Sequence, residues 1–371
     1  MVATTAWVWA GELADPREWV AADDDPAARW ALLTGVLDRP DDDPEVRDAR
    51  RAMLIAPATC DLLDRLDPWD AGRPLSGHDH PHYAPNLLTL LADRGLRAGD
   101  DPRVDRVLDQ MLDHQEAGGR FPSYAAPRGG AVPAWGSLLC DNHAVVDVLL
   151  RYDRGDDPRL RACLAAMTAD LTDTDQGIAW PCLPSATGFR GPGRKADMCP
   201  QVTLEALRAF SRVPEGDRPP GILDVARVSL AGWRRRGSQK PYMFGHGRGF
   251  KQAKWPVTWY GAFSMLDALG RYPALWRAPD ADPDDRRALA ELAACLVAYN
   301  TDGAGRVVPR STYRGFENHS FGQKKQPSAF ATAMLLTVLH RVDDLAPEAA
   351  AVDVTALGSS KGGTGRVVPP R

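Results

Sequence analysis

The sequence predicts an all-α fold, an α/α toroid of about six inner and five or six outer helices. Three observations predict it: helical segments of two kinds alternate, the apolar kind recurs at a steady interval, and convincing strand alternation is absent. A helix that is apolar on most faces is buried, whereas a one-sided helix faces water. Strict alternation therefore reads as an inner ring within an outer ring.

The one-sided segments often open on an Asp-Pro pair, suited to an N-cap followed by proline at the first helical position. They include DDDPEVRDARRAML, DDPRVDRVLDQMLDHQ, DDPRLRACLAAMTADL and DADPDDRRALAELAACLVAY, with GILDVARVSLAGWRRR alike in pattern. The apolar segments are PAARWALLTGVL, HYAPNLLTLLADRGL, SLLCDNHAVVDVLLRY, MCPQVTLEALRAF, WPVTWYGAFSMLDALGRY and PSAFATAMLLTVLH. The last five are expected to start near 82, 138, 197, 255 and 327. The longer loops, 67–81, 116–137, 173–196, 237–254 and 300–326, each precede one of them and so gather on one rim. Residues 1–350 read as a single toroid domain and 351–371 as a C-terminal tail.

The chain has 371 residues, 44% of them hydrophobic, which is ample for a large core. A net charge of −4 carries no nucleic-acid signature, and no apolar run is long enough to span a bilayer. The N-terminus lacks the pattern of a signal peptide, so a cytoplasmic location is expected, with the six cysteines as thiols or ligands.

Of 45 basic residues only seven are lysine, and six of these lie between 195 and 325. Lys195 precedes one inner helix, Lys251 and Lys254 the next, and Lys324 and Lys325 the last; Arg194, Arg248 and Arg314 join them. Helix N-termini attract anions, so this rim is expected to bind a phosphate or diphosphate. Trp135, Trp180, Trp255, Trp259, Tyr260 and Phe330 stand in the same loops and first turns. They are either core or the wall of a cavity for a long apolar ligand and a developing cation. Together the two features fit a polyprenyl diphosphate.

Several polar strings carry competing readings. Asp197 and Cys199 precede Pro200, so Cys199 caps the helix; a thiolate there suits metal binding, reactivity or capping alone. GHDHPHY offers His78, His80 and His82 as ligands or a proton relay. In CDNH, Cys140, Asp141 and His143 form a second metal set with Cys182. Alternatively Asp141 is a buried acid that protonates an alkene. In ENHSFGQKKQPSAF, Glu317 or His319 is a candidate acid or base. The string Asp282-Pro283-Asp284-Asp285 and the run DDDPE read as helix starts rather than catalytic acids.

The repeat pattern over roughly 25–341 resembles the prenyltransferase and squalene-cyclase superfamily, with one QW-type motif in Gln115, Gly119 and Phe121. Finer matches look like the β subunit of protein prenyltransferases: Gly188-Phe189, Arg194, Lys195, Asp197 and Cys199, preceded by Gly129, Gly130, Pro133 and His143. The resemblance implies that His143, Arg194 and Lys195 hold a diphosphate, with magnesium as its companion, and that Asp197 and Cys199 bind zinc. The family's third zinc ligand, a histidine in the next inner helix, is missing from VTWYGAF; His80, His82, His143 and His319 are the substitutes. A partner subunit, usual in that family, is left open.

Three readings follow. The first is prenyl transfer from a diphosphate to an acceptor, with Asp141, His143 and Asp197 as catalytic candidates. The second is class II terpene cyclisation by an Asp general acid. The third is a non-catalytic toroid that binds a lipid or a partner protein.

Overall fold

The computed structural model describes residues 6–75, 77–125, 132–184 and 191–357. Six apolar helices form the inner ring: Pro26–Gly35, Ala84–Asp93, Leu139–Arg151, Pro200–Phe210, Ala262–Leu269 and Ala329–His340. Five outer helices, Pro44–Leu54, Pro102–Asp113, Pro158–Ala169, Ile222–Arg234 and Pro283–Asn300, alternate with them. Consecutive inner helices pack together from the second to the sixth, and the sixth packs on the first, which closes the ring. The joint between first and second is made by Arg94, 3.1 Å from Asp25 Oδ1, and by Gly95 against Trp30. Gly95 has φ +108°, and a Cβ there would meet the indole at 2.8 Å, so this close approach needs glycine.

The difference between the rings is one of burial. The third inner helix is buried at every position from Leu139 to Leu149, and the fourth from Pro200 to Leu207. The Asp-Pro signals act as expected. Asp25, Asp43, Asp101, Asp157 and Asp282 each accept from the N–H two residues on, ahead of a proline at the first helical position. Each cap contributes about 1 kcal/mol. Asp282, Asp284 and Asp285 all turn to Arg234, at 3.1, 3.1 and 2.7 Å, so that acidic string starts an outer helix and clamps it to its neighbour.

Short strand pairs occupy the loops between helices: Ser123–Ala125 with Ala134–Gly136, Thr172–Thr174 with Gly177–Ala179, and Lys254–Trp255 with Ser311–Thr312. The QW-type motif ties outer helices together, with Gln115 Nε2 donating to Gly119 O at 2.8 Å and to Arg159 O at 2.6 Å. The fifth inner helix starts later than its expected position near 255. Lys254 and Trp255 are held in a strand, and Gln201 Oε1 accepts from the Tyr260 N–H at 2.7 Å, so WPVTWYG runs as loop.

One apolar cluster extends from Trp9 to Ala349. Val352, Val354 and Leu357, at the start of the expected tail, pack on it; residues 358–371 lie outside the described residues.

Candidate functional site

The ring encloses an axial cavity of about 350 Å³ lined from all six inner helices. Trp30, Trp255, Phe263, Phe330 and Met334 supply an apolar wall. Its volume lies at the lower end of pockets that hold small molecules.

The charge of this cavity lies at the C-terminal ends of the inner helices. Arg151 ends the third, Arg208 and Arg212 stand at the end of the fourth, Arg271 follows the fifth and Arg341 follows the sixth; all five line the cavity. Their carboxylate partners are Asp93, Asp147 and Asp267. Arg208 Nε and Arg212 Nε each lie 3.0 Å from Asp147, and Arg271 lies 3.0 Å from Asp267. Burial opposes the charge on Asp147, but Arg208, Arg212 and Arg151 hold its carboxyl well below the usual range. Five guanidinium groups against three carboxylates leave a formal excess of two positive charges. Burial, with Arg151 beside it, pushes Arg212 down to about 10, and burial with Arg271 beside it lowers Arg341. Among the described residues these cations are crowded and only partly neutralised by carboxylates, a setting that favours an anion.

Along the fourth inner helix, Gln201, Glu205, Arg208 and Arg212 follow at intervals of four, three and four, which places them on one face. Glu205 is therefore one turn from the arginine floor. Gln201 Nε2 donates to Glu205 Oε1 at 2.6 Å, while Oε2 is buried with no partner among the described residues. Burial drives the Glu205 carboxyl up to about 7. Near neutral pH a substantial share of it is therefore protonated.

Nearer the N-terminal ends of the helices, His78 Nδ1 lies 3.3 Å from both Cys140 Sγ and Asp141 Oδ1. Burial opposes charge on His78, yet Cys140 and Asp141 raise it well above the ordinary histidine range. Trp259 stacks on the His78 ring at 5.6 Å. Asp141 is thus engaged with His78, whereas Glu205 is the carboxyl whose proton affinity burial raises.

The structure places the other sequence candidates elsewhere. Asp197 accepts from Gln176 Nε2 at 3.0 Å and the Tyr242 N–H at 2.8 Å, so both carboxylate oxygens are engaged in fixing the loop. Cys199 occupies the N-cap position of its helix and shares a hydrogen bond with Cys182. His319 pairs with Asp61 at 2.8 Å, while the rings of His80 and His82 meet in a T-shaped contact on the surface. Among the described residues, none of these histidines joins Asp197 and Cys199 as a third ligand.

His143 is fully buried between the third and fourth inner helices. Its Nδ1 lies 3.0 Å from Val202 O, and burial pushes it down to about 4, so it is neutral rather than an anion-binding cation. Arg194 and Lys195 are exposed, Arg194 over the Tyr242 ring. Lys251 is buried, donates to Leu357 O at 2.7 Å and lines a separate pocket; Lys254 lies over Tyr313. These cations do not line the axial cavity, whereas the arginines at the C-terminal ends of the inner helices do.

Of the aromatic candidates, Trp255 and Phe330 line the cavity. Trp180 is core, stacked on Phe210 and donating to Met167 O at 2.7 Å. Trp135 stacks on His114 in a strand pair of the loop region, and the Tyr260 hydroxyl is committed to the Gly245 N–H and Met243 O. Gly129, Gly130, Gly188 and Phe189 lie outside the described residues.

Sequence reasoning missed Glu205 and the five arginines. A signal existed: apolar helices end on VLLR, LRAFSR, LGR and LHR. Arginine at a helix C-terminus is common for reasons of dipole alone, which hides it.

No family model matches the chain, and no curated protein matches it. Among solved structures the chain is similar to the type II terpene cyclase MstE from Scytonema, at 16% identity over 88% of this chain and 89% of that chain, with a TM-score of 0.41. A variant of that cyclase is solved with its substrate, geranylgeranyl dihydroxybenzoate. The chain is also similar to a protein from Actinoplanes, at 14% identity over 87% of this chain and 90% of that chain, TM-score 0.37. A polysaccharide lyase follows at 12% identity over 86% and 90%, TM-score 0.34.

Proposed function

We propose that the chain is an isoprenoid-processing enzyme that seats an apolar chain with an anionic head in the axial cavity and cyclises it by proton transfer. The observation that carries this reading is the aromatic cavity whose floor holds two positive charges beyond its carboxylates, one helical turn from the buried Glu205 carboxyl, which is raised to about 7. The arginines take the carboxylate or diphosphate head, with Arg212 and Arg271 neutralising it where magnesium would otherwise be needed. Glu205 acts as general acid. Its Oε2–H bond breaks, the proton passes to an alkene carbon, and the other alkene carbon becomes cationic. Gln201 steadies the carboxylate that forms, the rings of Trp255, Phe263 and Phe330 face the cation, and loss of a proton completes an isomeric product.

Prenyl transfer on zinc at Asp197 and Cys199 has less support, because the Asp197 carboxylate is already spent on Gln176 and Tyr242. The two reactions differ in mass balance. Purified protein in D2O with geranylgeranyl dihydroxybenzoate, and separately geranylgeranyl diphosphate, should give an isomer carrying one deuterium. Release of diphosphate with an alkylated acceptor would return the reading to transfer. Tight binding without turnover would leave a carrier.

A further inference from the structure

We propose that His78, Cys140 and Asp141 form a zinc site at the N-terminal end of the third inner helix, distinct from the Asp197 and Cys199 pair. His78 Nδ1 lies 3.3 Å from Cys140 Sγ and 3.3 Å from Asp141 Oδ1, and Cys140 Sγ lies 3.9 Å from Asp141 Oδ1. Zinc bonds of about 2.0 Å to nitrogen, about 2.3 Å to sulfur and about 2.1 Å to oxygen, at tetrahedral angles, place such donor atoms roughly 3.4–3.6 Å apart. Each observed edge departs from that spacing by only a few tenths of an ångström. Among the described residues, this is the one trio of His, Cys, Asp or Glu whose ligand atoms come this close.

The ligands are held in place before any metal arrives. Cys140 and Asp141 stand in the buried first turn of a helix. His78 is carried by a loop that Asn86 fastens, its Nδ2 donating to His78 O at 2.7 Å and His80 O at 2.9 Å. Trp259 covers the imidazole face. Such supporting contacts orient a ligand and sustain affinity. A thiol, an imidazole and a single carboxylate suit zinc, whereas magnesium and calcium prefer all-oxygen cages. Three protein ligands leave a fourth tetrahedral position for water or another donor, the arrangement of reactive rather than structural zinc.

None of the three ligands lines the axial cavity or belongs to the arginine floor, and metal binding is read without substrate or turnover, so its failure is distinguishable from failure of the proposed cyclisation; Glu205 stands close enough to feel the charges of His78 and Asp141. The test is metal binding without substrate. Metal-stripped protein is titrated with zinc chloride by calorimetry and with cobalt chloride by visible absorption. The wild type should bind one zinc per chain and give a thiolate-to-cobalt band. Cys140→Ser should lose that band and weaken zinc at least about 100-fold, while Cys199→Ser and Asp197→Asn bind as the wild type does. Should Cys140→Ser fail to fold by circular dichroism, His78→Gln, in the loop, carries the same expectation for zinc affinity. Absence of zinc binding by the wild type, unchanged affinity in a folded His78 or Cys140 variant, or loss of zinc in Cys199→Ser would overturn the proposal.

Discussion

Arg212 Nε lies 3.0 Å from Asp147 Oδ1, across the joint between the third and fourth inner helices. The same fully buried carboxylate faces Arg208 at 3.0 Å and Arg151 at 3.4 Å. One aspartate therefore holds three guanidinium groups at the floor of the cavity.

Asp147→Asn should cost about 3–5 kcal/mol, because removing one member of a buried charge cluster leaves the others uncompensated. The pH dependence has a definite sign. A carboxyl held below its ordinary value contributes stability that is present above that value and lost as pH falls through the folded one. Denaturant titrations should show the gap between wild type and variant widest at neutral pH and narrowing below pH 4.

Arg212→Gln and Arg271→Gln should each weaken binding of a prenylated carboxylate or diphosphate by roughly 10- to 100-fold, the worth of one charge-assisted hydrogen bond at about 1.5–3 kcal/mol. Geranylgeraniol, which has no anionic head, should bind both variants and the wild type alike. Equal losses for the two ligands would mean that the arginines only support the fold.

Glu205→Gln should abolish deuterium transfer, a loss of at least about 100-fold, while leaving ligand affinity within a few-fold. Its effect on stability runs the other way. A carboxyl raised from 4.5 to about 7 favours folding least once pH passes the folded value, since the unfolded chain ionises first. That term amounts to about 3 kcal/mol between pH 4.5 and 7. The variant should therefore gain on the wild type as pH rises through this window, and the gain is read from paired unfolding curves.

Asp197→Asn should lower stability by about 1–3 kcal/mol, through the two hydrogen bonds it takes from Gln176 and Tyr242, and leave turnover per folded molecule unchanged. A turnover collapse at constant stability would give Asp197 back the role its resemblance implies.

The fold was legible because burial is written into composition. The six apolar helices and the Asp-Pro caps are local signals, and Asp282 proves a cap rather than an acid because its proline fixes a helix start. The fifth inner helix misled, since Trp255, Trp259 and Tyr260 look like a helix face until Gln201 claims the Tyr260 N–H. The site was less legible. Lysines on loops drew the reading to the N-terminal rim, because sequence does not tell an exposed Lys195 from a cavity-lining Arg271. Nor does it give the depth of burial that raises the Glu205 carboxyl to about 7.

The most direct test of the central claim is a crystal structure with geranylgeranyl diphosphate bound. The account predicts the diphosphate within hydrogen-bonding distance of Arg212 and Arg271, and the prenyl chain running past Phe330 and Trp255. A diphosphate held instead by Lys195 and Lys254, with the arginine floor unchanged, would contradict it.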